Sequence, residues 1–346
     1  MKIFCSAEHQ RKHDPRTFLV SGAQRPSPET PARLDRLLEA ALGAGHTLAE
    51  TAERGLGPIA AVHTPEYIRF LARIHERWAR IEGASDEVIP NIHPDRRLAA
   101  YPRSAVGQAG YHMADTACPI GPDSWESIRW SANSAVCAAE HVLGGDPMAY
   151  ALCRPPGHHA FADVAGGFCF VNNTAVAATV LRRRHERVAI VDVDLHHGNG
   201  TQGIFYHRAD VLCVSLHADP ARFYPFFWGH EGERGDGPGL GYNLNLPLPR
   251  GAGDEAFLGA LDAGLERVEA FAPGALVVAL GLDASEHDPF GGLAVTTGGF
   301  GRIARRLAAL GLPSVIVQEG GYLCDALGDN LTGFLNAFET GANGTA

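Results

Sequence analysis

The chain reads as an α/β protein with a mostly parallel central sheet and helices on both faces. Three observations predict this. Apolar runs of strand length recur at Ala149–Cys153, Val188–Val193, Val211–Leu216, Ala275–Gly281 and Ser314–Val317. Stretches of helix length lie between them, such as Asn173–His185, Glu255–Phe271 and Phe300–Leu310. Most of the apolar runs lead directly into polar clusters. Strand and helix in alternation imply right-handed crossovers and a sheet buried on both faces, which is why its strands are continuously apolar.

Composition sets the outer bounds. With 346 residues, 45% hydrophobic and 20% charged, the chain is globular rather than disordered. No repeat, low-complexity tract or linker divides it, so residues 1–346 read as a single domain. A net charge of −10 argues against a nucleic-acid partner and is compatible with a cationic small substrate. Seven cysteines without a C-x-x-C pair point to a reducing cytoplasm. The first residues show no apolar signal-peptide core, and no run of about 18 apolar residues marks a membrane span. The stretch Gly83–Pro122 carries Pro90, Pro94, Pro102, Pro119 and Pro122. It reads as an irregular insert, outside the core, that forms a rim or an interface.

The first polar cluster follows Ala149–Cys153: Arg154-Pro155-Pro156-Gly157-His158-His159. The second follows Val188–Val193: Asp194-Leu195-His196-His197-Gly198-Asn199-Gly200. Ala275–Gly281 leads to Asp283, and Ser314–Val317 leads to Glu319-Gly320-Gly321-Tyr322. Open α/β sheets bind ligands beyond the carboxyl ends of their strands, so these four clusters are expected to share one rim.

Within Asp192-Val193-Asp194-Leu195-His196, alternate residues point to the same side, so Asp192, Asp194 and His196 face together. A carboxylate and an imidazole two residues apart can chelate a divalent ion, with Asp283 as the third ligand. Three protein ligands leave positions open for water and substrate, as in catalytic zinc sites. His158 and His159 sit on a stiff turn, where a histidine can take a proton from bound water and return it to a leaving amine. Each needs an acceptor to fix its tautomer; Asp192 can serve one and Asn199 the other. The Tyr322 phenol can donate a hydrogen bond to a developing oxyanion, and Gly320 and Gly321 allow the backbone to come close.

These residues carry a resemblance. R-P-P-G-H-H-A (Arg154–Ala160), G-G-F-C-F-V-N-N (Gly166–Asn173), D-V-D-L-H-H-G-N-G-T-Q (Asp192–Gln202), L-G-L-D-A-S-E-H-D-P (Leu280–Pro289) and E-G-G-Y (Glu319–Tyr322) resemble the histone deacetylase superfamily. Phe223–His230, Gly239–Pro247 and the 83–122 insert are most similar to its bacterial acetylpolyamine amidohydrolase branch. The resemblance implies an arginase/deacetylase-like fold of about eight strands and a deacetylase acting on a small acetylated amine. It implies zinc, with ferrous iron as an alternative, at Asp194, His196 and Asp283. It makes His159, paired with Asn199, the general base and acid. It gives His158, paired with Asp192, an electrostatic role, and has Tyr322 polarise the scissile carbonyl.

The resemblance also implies a tunnel walled by Phe168 and Tyr224 beside Gly167, with Arg33 below it. It places K⁺ or Na⁺ at Asp192, Asp194, His196, Ser215 and Leu216, and again at Phe205, Arg208, Val211 and Tyr242. The long proline-rich 83–122 insert, which a catalytic fold does not need, leads us to expect a homodimer in which one subunit's insert borders the other's tunnel.

Two departures bear on the substrate. Val106 and Ala117 stand where polyamine-selecting relatives place glutamates, and Phe290 stands where they show an acid, which implies a hydrophobic wall instead. Asp115 reads as a plain surface acid, while Glu231, Glu233 and Asp236 are the candidate acids at the mouth. The competing readings are a broad acyl-lysine deacylase and a catalytically silent binding protein on the same fold. The complete polar set speaks against the second. The rim also offers too few carboxylates for a two-manganese arginase site.

Overall fold

The computed structural model describes residues 1–94 and 100–343. The apolar runs form strands because both of their faces are covered. The strands are β1 (Lys2–Phe4), β2 (Thr17–Val20), β3 (Ala23–Pro26), β4 (Thr47–Ala49), β5 (Met148–Ala151), β6 (Val188–Asp192), β7 (Val211–Ala218), β8 (Asn243–Leu248), β9 (Ala275–Leu280) and β10 (Ser314–Gln318). Eight of them make one sheet in the order β4-β1-β5-β10-β9-β6-β7-β8, and every neighbouring pair is parallel. Strands β2 and β3 form a separate antiparallel hairpin.

The pleat divides the core in two. Tyr150, Val191, Val278 and Ile316 face one layer, which is closed by the helices Pro31–Gly43, Asp254–Phe271, Thr297–Ala308 and Leu327–Asn343. Ala149, Ile190, Val277 and Val315 face the other, closed by Pro65–Trp78, Ser124–Leu143 and Asn173–Leu181. Local signals set the helix starts. Asn172 Oδ1 accepts the Ala175 N–H at 2.8 Å, and Thr296 Oγ1 accepts the Gly299 N–H at 3.0 Å.

The expected fold class is the observed one, with boundary shifts. The stretch expected as a helix over Asn173–His185 stops at Leu181, and that over Phe300–Leu310 begins earlier, at Thr297, and ends at Ala308. The 83–122 segment, whose residues 95–99 lie outside the described residues, is not uniformly irregular. Ala105–His112 is a helix started by Ser104, whose Oγ accepts the Gly107 N–H at 3.1 Å. Val88 and Ile120 pair as an antiparallel bridge. Both are buried in the second core layer, as are Ala109, Met113 and Cys118, so these residues of the segment belong to the core, whereas Ile92 and Tyr101 are exposed.

Buried histidines tie loops to this frame. The His63 Nε2 accepts the Asn172 N–H at 3.0 Å, while Nδ1 faces the Ala162 carbonyl at 3.3 Å. The His217 Nε2 faces the Gly229 carbonyl at 2.8 Å and its Nδ1 faces Ser215 Oγ at 2.8 Å. Burial pushes both down from 6.5 to about 4. The unfolded chain therefore takes up these protons at higher pH than the folded one. Their stabilisation is complete above about pH 6.5 and is lost as pH falls through 4, up to roughly 3 kcal/mol for each. Urea midpoints measured from pH 7 down to 4.5 should fall steadily, and more steeply than in a His63→Gln variant. A flat profile over that window would refute the assignment.

Candidate active site

Strands β5, β10, β9 and β6 are consecutive neighbours in the sheet, and they are the four that lead into the polar clusters. Parallel strands lie about 4.8 Å apart, so four strand ends span roughly 14 Å. The loops therefore meet over one cavity of about 620 Å³, whose lining includes His158, His159, Asp194, His196, Asp283 and Tyr322.

Asp194, His196 and Asp283 are buried with ligand atoms within 4.8 Å of one another. His196 Nδ1 lies 3.2 Å from Asp194 Oδ1 and 3.1 Å from Asp283 Oδ2. Backbone amides hold the carboxylates. Asp194 Oδ2 accepts the Gly320 N–H at 2.8 Å, Asp194 Oδ1 the His196 N–H at 2.8 Å, and Asp283 Oδ1 the Leu195 N–H at 3.0 Å. A Cβ on Gly320 would fall 2.1 Å from Asp283 Oδ2 and 2.6 Å from Asp194 Oδ2, so only glycine fits there.

Burial alone raises a carboxyl pKa. At Asp194 the His158 and His196 imidazoles outweigh burial and hold the group below its usual range. At Asp283 burial, together with Asp194, pushes it up. Burial pulls His196 down, but Asp194 and Asp283 prevail and lift it to about 9. One nitrogen and two carboxylates around one point favour a positive charge between them, and this donor set fits a divalent cation.

The two histidines of the β5 loop are set up differently. His158 Nδ1 lies 3.0 Å from Asp192 Oδ2, and its Nε2 lies 3.8 Å from Asp194 Oδ1. Burial lowers its pKa, yet Asp194 and Asp192 raise it to about 10. His159 Nδ1 lies 2.7 Å from Asn199 Oδ1, which fixes the proton on Nδ1 and leaves Nε2 as an acceptor. Burial, with His158 and His196, holds His159 well below its ordinary value and keeps it neutral. Burial likewise holds Tyr322 protonated, despite the Arg33 guanidinium 5.2 Å from its ring.

Phe168, Phe290 and Tyr322 pack edge-on or tilted, with centroids 4.8–6.5 Å apart, along one side of the cavity. Tyr224 stands 5.0 Å from the His159 ring, and Phe223 stacks on His196 at 5.3 Å. Gly167 passes so close that a Cβ would meet His159 Cδ2 at 2.4 Å. Arg33 is buried beneath, donating to the carbonyls of Gly321 and Glu319.

The mouth departs from expectation. Asp115 is not a plain surface acid: it lines the cavity, accepts from Tyr224 Oη at 2.8 Å and the Gly167 N–H at 3.0 Å on Oδ2, and takes the Ala117 N–H at 2.8 Å on Oδ1. Glu231, Glu233 and Asp236 do not line the cavity. Glu233 turns inward to accept from Gln202 Nε2 at 2.6 Å and the Gly229 N–H at 2.8 Å, because buried amides on β8 and its neighbours need an acceptor. Asp236 lies 3.5 Å from His207 Nδ1. The charged residues at the mouth are instead Arg222 and Arg250.

Asp288 went unnoticed in the sequence. Its Oδ2 accepts the Tyr322 N–H at 2.9 Å and its Oδ1 the Phe290 N–H at 2.9 Å, so it sets both. The expected cation positions cluster as well. Asp192 pairs with Ser215 across β6 and β7, next to Leu216. Phe205 ends the Asn199–Phe205 helix and its carbonyl accepts the Arg208 N–H at 2.9 Å, while Val211 starts β7, where the Tyr242 carbonyl accepts the Cys213 N–H at 3.0 Å.

Three ligands and a neutral imidazole on the carboxyl rim of a parallel sheet have the layout of a metal hydrolase, not of a closed structural site. A profile of the histone deacetylase domain matches residues 27–338. The chain is 49% identical over 330 residues, 95% of its length and 96% of the relative's, to an acetylpolyamine amidohydrolase of Burkholderia pseudomallei. It is 40% identical to acetylpolyamine amidohydrolase 1 of Pseudomonas aeruginosa, over 97% of this chain and 98% of that one. The crystal structure of the acetylpolyamine aminohydrolase from Burkholderia pseudomallei superposes with a TM-score of 0.94 at 48% identity, covering 98% of each chain. The HDA15 HD domain superposes at 0.78 with 28% identity, covering 99% of this chain and 90% of that one. The chain belongs to the histone deacetylase family and is a hydrolase of linear amide bonds.

The geometry predicts one divalent ion per chain. Metal analysis of His196→Ala after dialysis should show that ion lost or reduced several-fold, with activity gone. Unchanged stoichiometry would refute the ligand assignment.

Proposed function

We propose that this hydrolase is zinc-dependent and removes acetyl groups from acetylated polyamines or similar N-acetylated amines. The observation that carries this is the convergence of Asp194, His196 and Asp283 on one point of the cavity that also holds His159 and Tyr322. The names of the relatives above, similar over nearly the whole chain, support the amine substrate.

Asp194, His196 and Asp283 would hold the ion, zinc or alternatively ferrous iron, which when bound would supply Lewis acidity to the attacking water and the scissile carbonyl. His159 Nε2 takes the proton from that water, then delivers it to the leaving amine. The His159 Nδ1–Asn199 bond keeps the ring in the required tautomer. His158, oriented by Asp192, acts electrostatically beneath the reacting centre, and Tyr322 Oη donates to the carbonyl oxygen as negative charge grows there. Phe168, Phe290 and Tyr224 exclude water along the acyl-amine chain. His159→Ala and Tyr322→Phe should each lower kcat by about 10²-fold or more with metal retained. Near-normal kcat in either variant would remove that residue from the mechanism.

A second reading, a broad acyl-lysine deacylase, is favoured by one feature. Arg222 and Arg250 line the mouth, and neither has a carboxylate partner among the described residues. Two guanidiniums oppose a polycationic tail, whereas Phe226 and Phe227, exposed by 49% and 84%, can hold an ammonium over their rings. Comparing kcat/KM for acetylputrescine, acetylcadaverine and an acetyl-lysine peptide separates the two. The polyamine reading expects a diamine to lead; a peptide ahead of both would overturn the substrate and leave the chemistry standing.

K⁺ or Na⁺ is assigned to the two clusters around Asp192–Ser215 and Phe205–Tyr242. A cytoplasmic location is supported by seven free cysteines, six of them buried. No helix among the described residues is long and apolar enough to cross a membrane. A homodimer is supported by exposed Leu19, Val20, Phe226 and Phe227. Light scattering should give twice the chain mass, and a monomer at working concentration would exclude the dimer.

A further inference from the structure

One buried acid near the centre has no part in the mechanism above. Glu319 immediately follows β10, three residues before Tyr322, and is fully buried. Its Oε2 accepts the Gly157 N–H at 2.6 Å and the His158 N–H at 3.0 Å. Its Oε1 accepts from Thr174 Oγ1 at 2.6 Å, in the first turn of the Asn173–Leu181 helix. Its own backbone is pinned too, with its N–H donating to the Leu280 carbonyl at 2.8 Å and its carbonyl accepting from Arg33. One carboxylate thus joins three separate segments: the β10 end that bears Tyr322, the β5 loop that bears His158 and His159, and the helix behind them.

Glu319 also lies with His158 and Cys169 in a group compact enough to hold an ion. The donors around it argue otherwise. Both Glu319 oxygens are taken by protein hydrogens, and burial pushes the Cys169 thiol well above its usual value, so it stays protonated with Sγ 3.4 Å from the Gly167 carbonyl. The cluster has acceptors already matched to donors, which is the chemistry of a structural bracket.

We propose that Glu319 is a positioning residue for the deacetylation reaction: its carboxylate sets the distance between the His158–His159 loop and Tyr322. The requirement is geometric. The proton-transferring imidazole and the phenol must address opposite sides of one carbonyl, and a misplacement of about 1 Å can cost about 10²-fold in rate. No covalent link joins their loops, and without Glu319 two amides and a hydroxyl would be buried without an acceptor. Burial pushes the Glu319 carboxyl up to about 7, against the pull of His158, so its charge is partly discharged at neutral pH. Its oxygens accept the two amides in either state. The bonds, more than the charge, are what the loops need.

The inference rests on the deacetylase reading, and two substitutions separate bond from charge. In Glu319→Gln the amide oxygen still reaches Gly157 and His158, and the NH₂ end faces Thr174 Oγ1. In Glu319→Asp the charge remains but the side chain is one methylene too short. Both should bind one divalent ion per chain. The Asp variant should lose about 10- to 100-fold in kcat with KM within twofold, whereas the Gln variant should stay within about threefold of the parent. Hydrogen exchange, read on a peptide covering residues 155–160, should be faster in the Asp variant and close to native in the Gln variant. This second readout holds even if the substrate is misassigned. If Glu319→Asp does not fold, Thr174→Val, which removes one donor, should still lower kcat a few-fold at constant KM. Equal losses in Gln and Asp, a loss confined to KM, or native exchange in Glu319→Asp would overturn the proposal.

Discussion

Asp194 and Asp283 are buried side by side within reach of the same histidine nitrogen. Two carboxylates cannot both stay ionised there unless positive charge and hydrogen-bond donors answer them. Much of the surrounding structure does so. Backbone amides of Leu195 and His196 after β6 and of Gly320 after β10 donate to Asp194 after β6 and Asp283 after β9, which requires three strand ends to stop at one level. A parallel sheet provides that: β6, β9 and β10 are adjacent and run in one direction. It also explains Gly320, where any side chain would strike both carboxylates. The imidazole of His196 supplies part of the compensation, and the divalent cation proposed for this site would supply the rest.

A second tier of buried acids then aligns what the first tier needs. Asp192 orients His158, Asp288 holds the amides of Tyr322 and Phe290, and Glu319 ties the β5 loop to β10. Asp115 does the same at the cavity wall for Gly167 and Tyr224. Each accepts from backbone or from a side chain on another element, and of them Asp115 also lines the cavity. The machinery for amide cleavage is thus rigid and fully bonded, while the mouth is left to Arg222, Arg250 and exposed aromatics. Chemistry and substrate choice are settled by different residues.

How far the sequence discloses this follows from the same physics. Strands β5, β6, β7, β9 and β10 are legible because burial on both faces forces continuous apolar runs. Strands β1 and β4 are three residues long, and β8 reads Asn-Leu-Asn-Leu-Pro-Leu, so they leave no such run. Asp194, His196 and His159 stand out because strand periodicity and adjacency place them together. Asp288 and Glu319 do not, since their partners are amides as far as 162 residues away in the chain. Glu233 reads as a mouth acid from its position after the aromatic loop, but buried Gln202 and the Gly229 amide draw it inward.

The central claim is that a single catalytic ion sits where these carboxylates converge. Anomalous diffraction at the zinc edge, from crystals of the protein loaded with one equivalent of zinc, tests it most directly. One peak is expected, bound by Asp194, His196 Nδ1 and Asp283 at about 2.0–2.2 Å, with a coordination position left open toward the cavity. A peak elsewhere, or one closed by a fourth protein ligand, would contradict it.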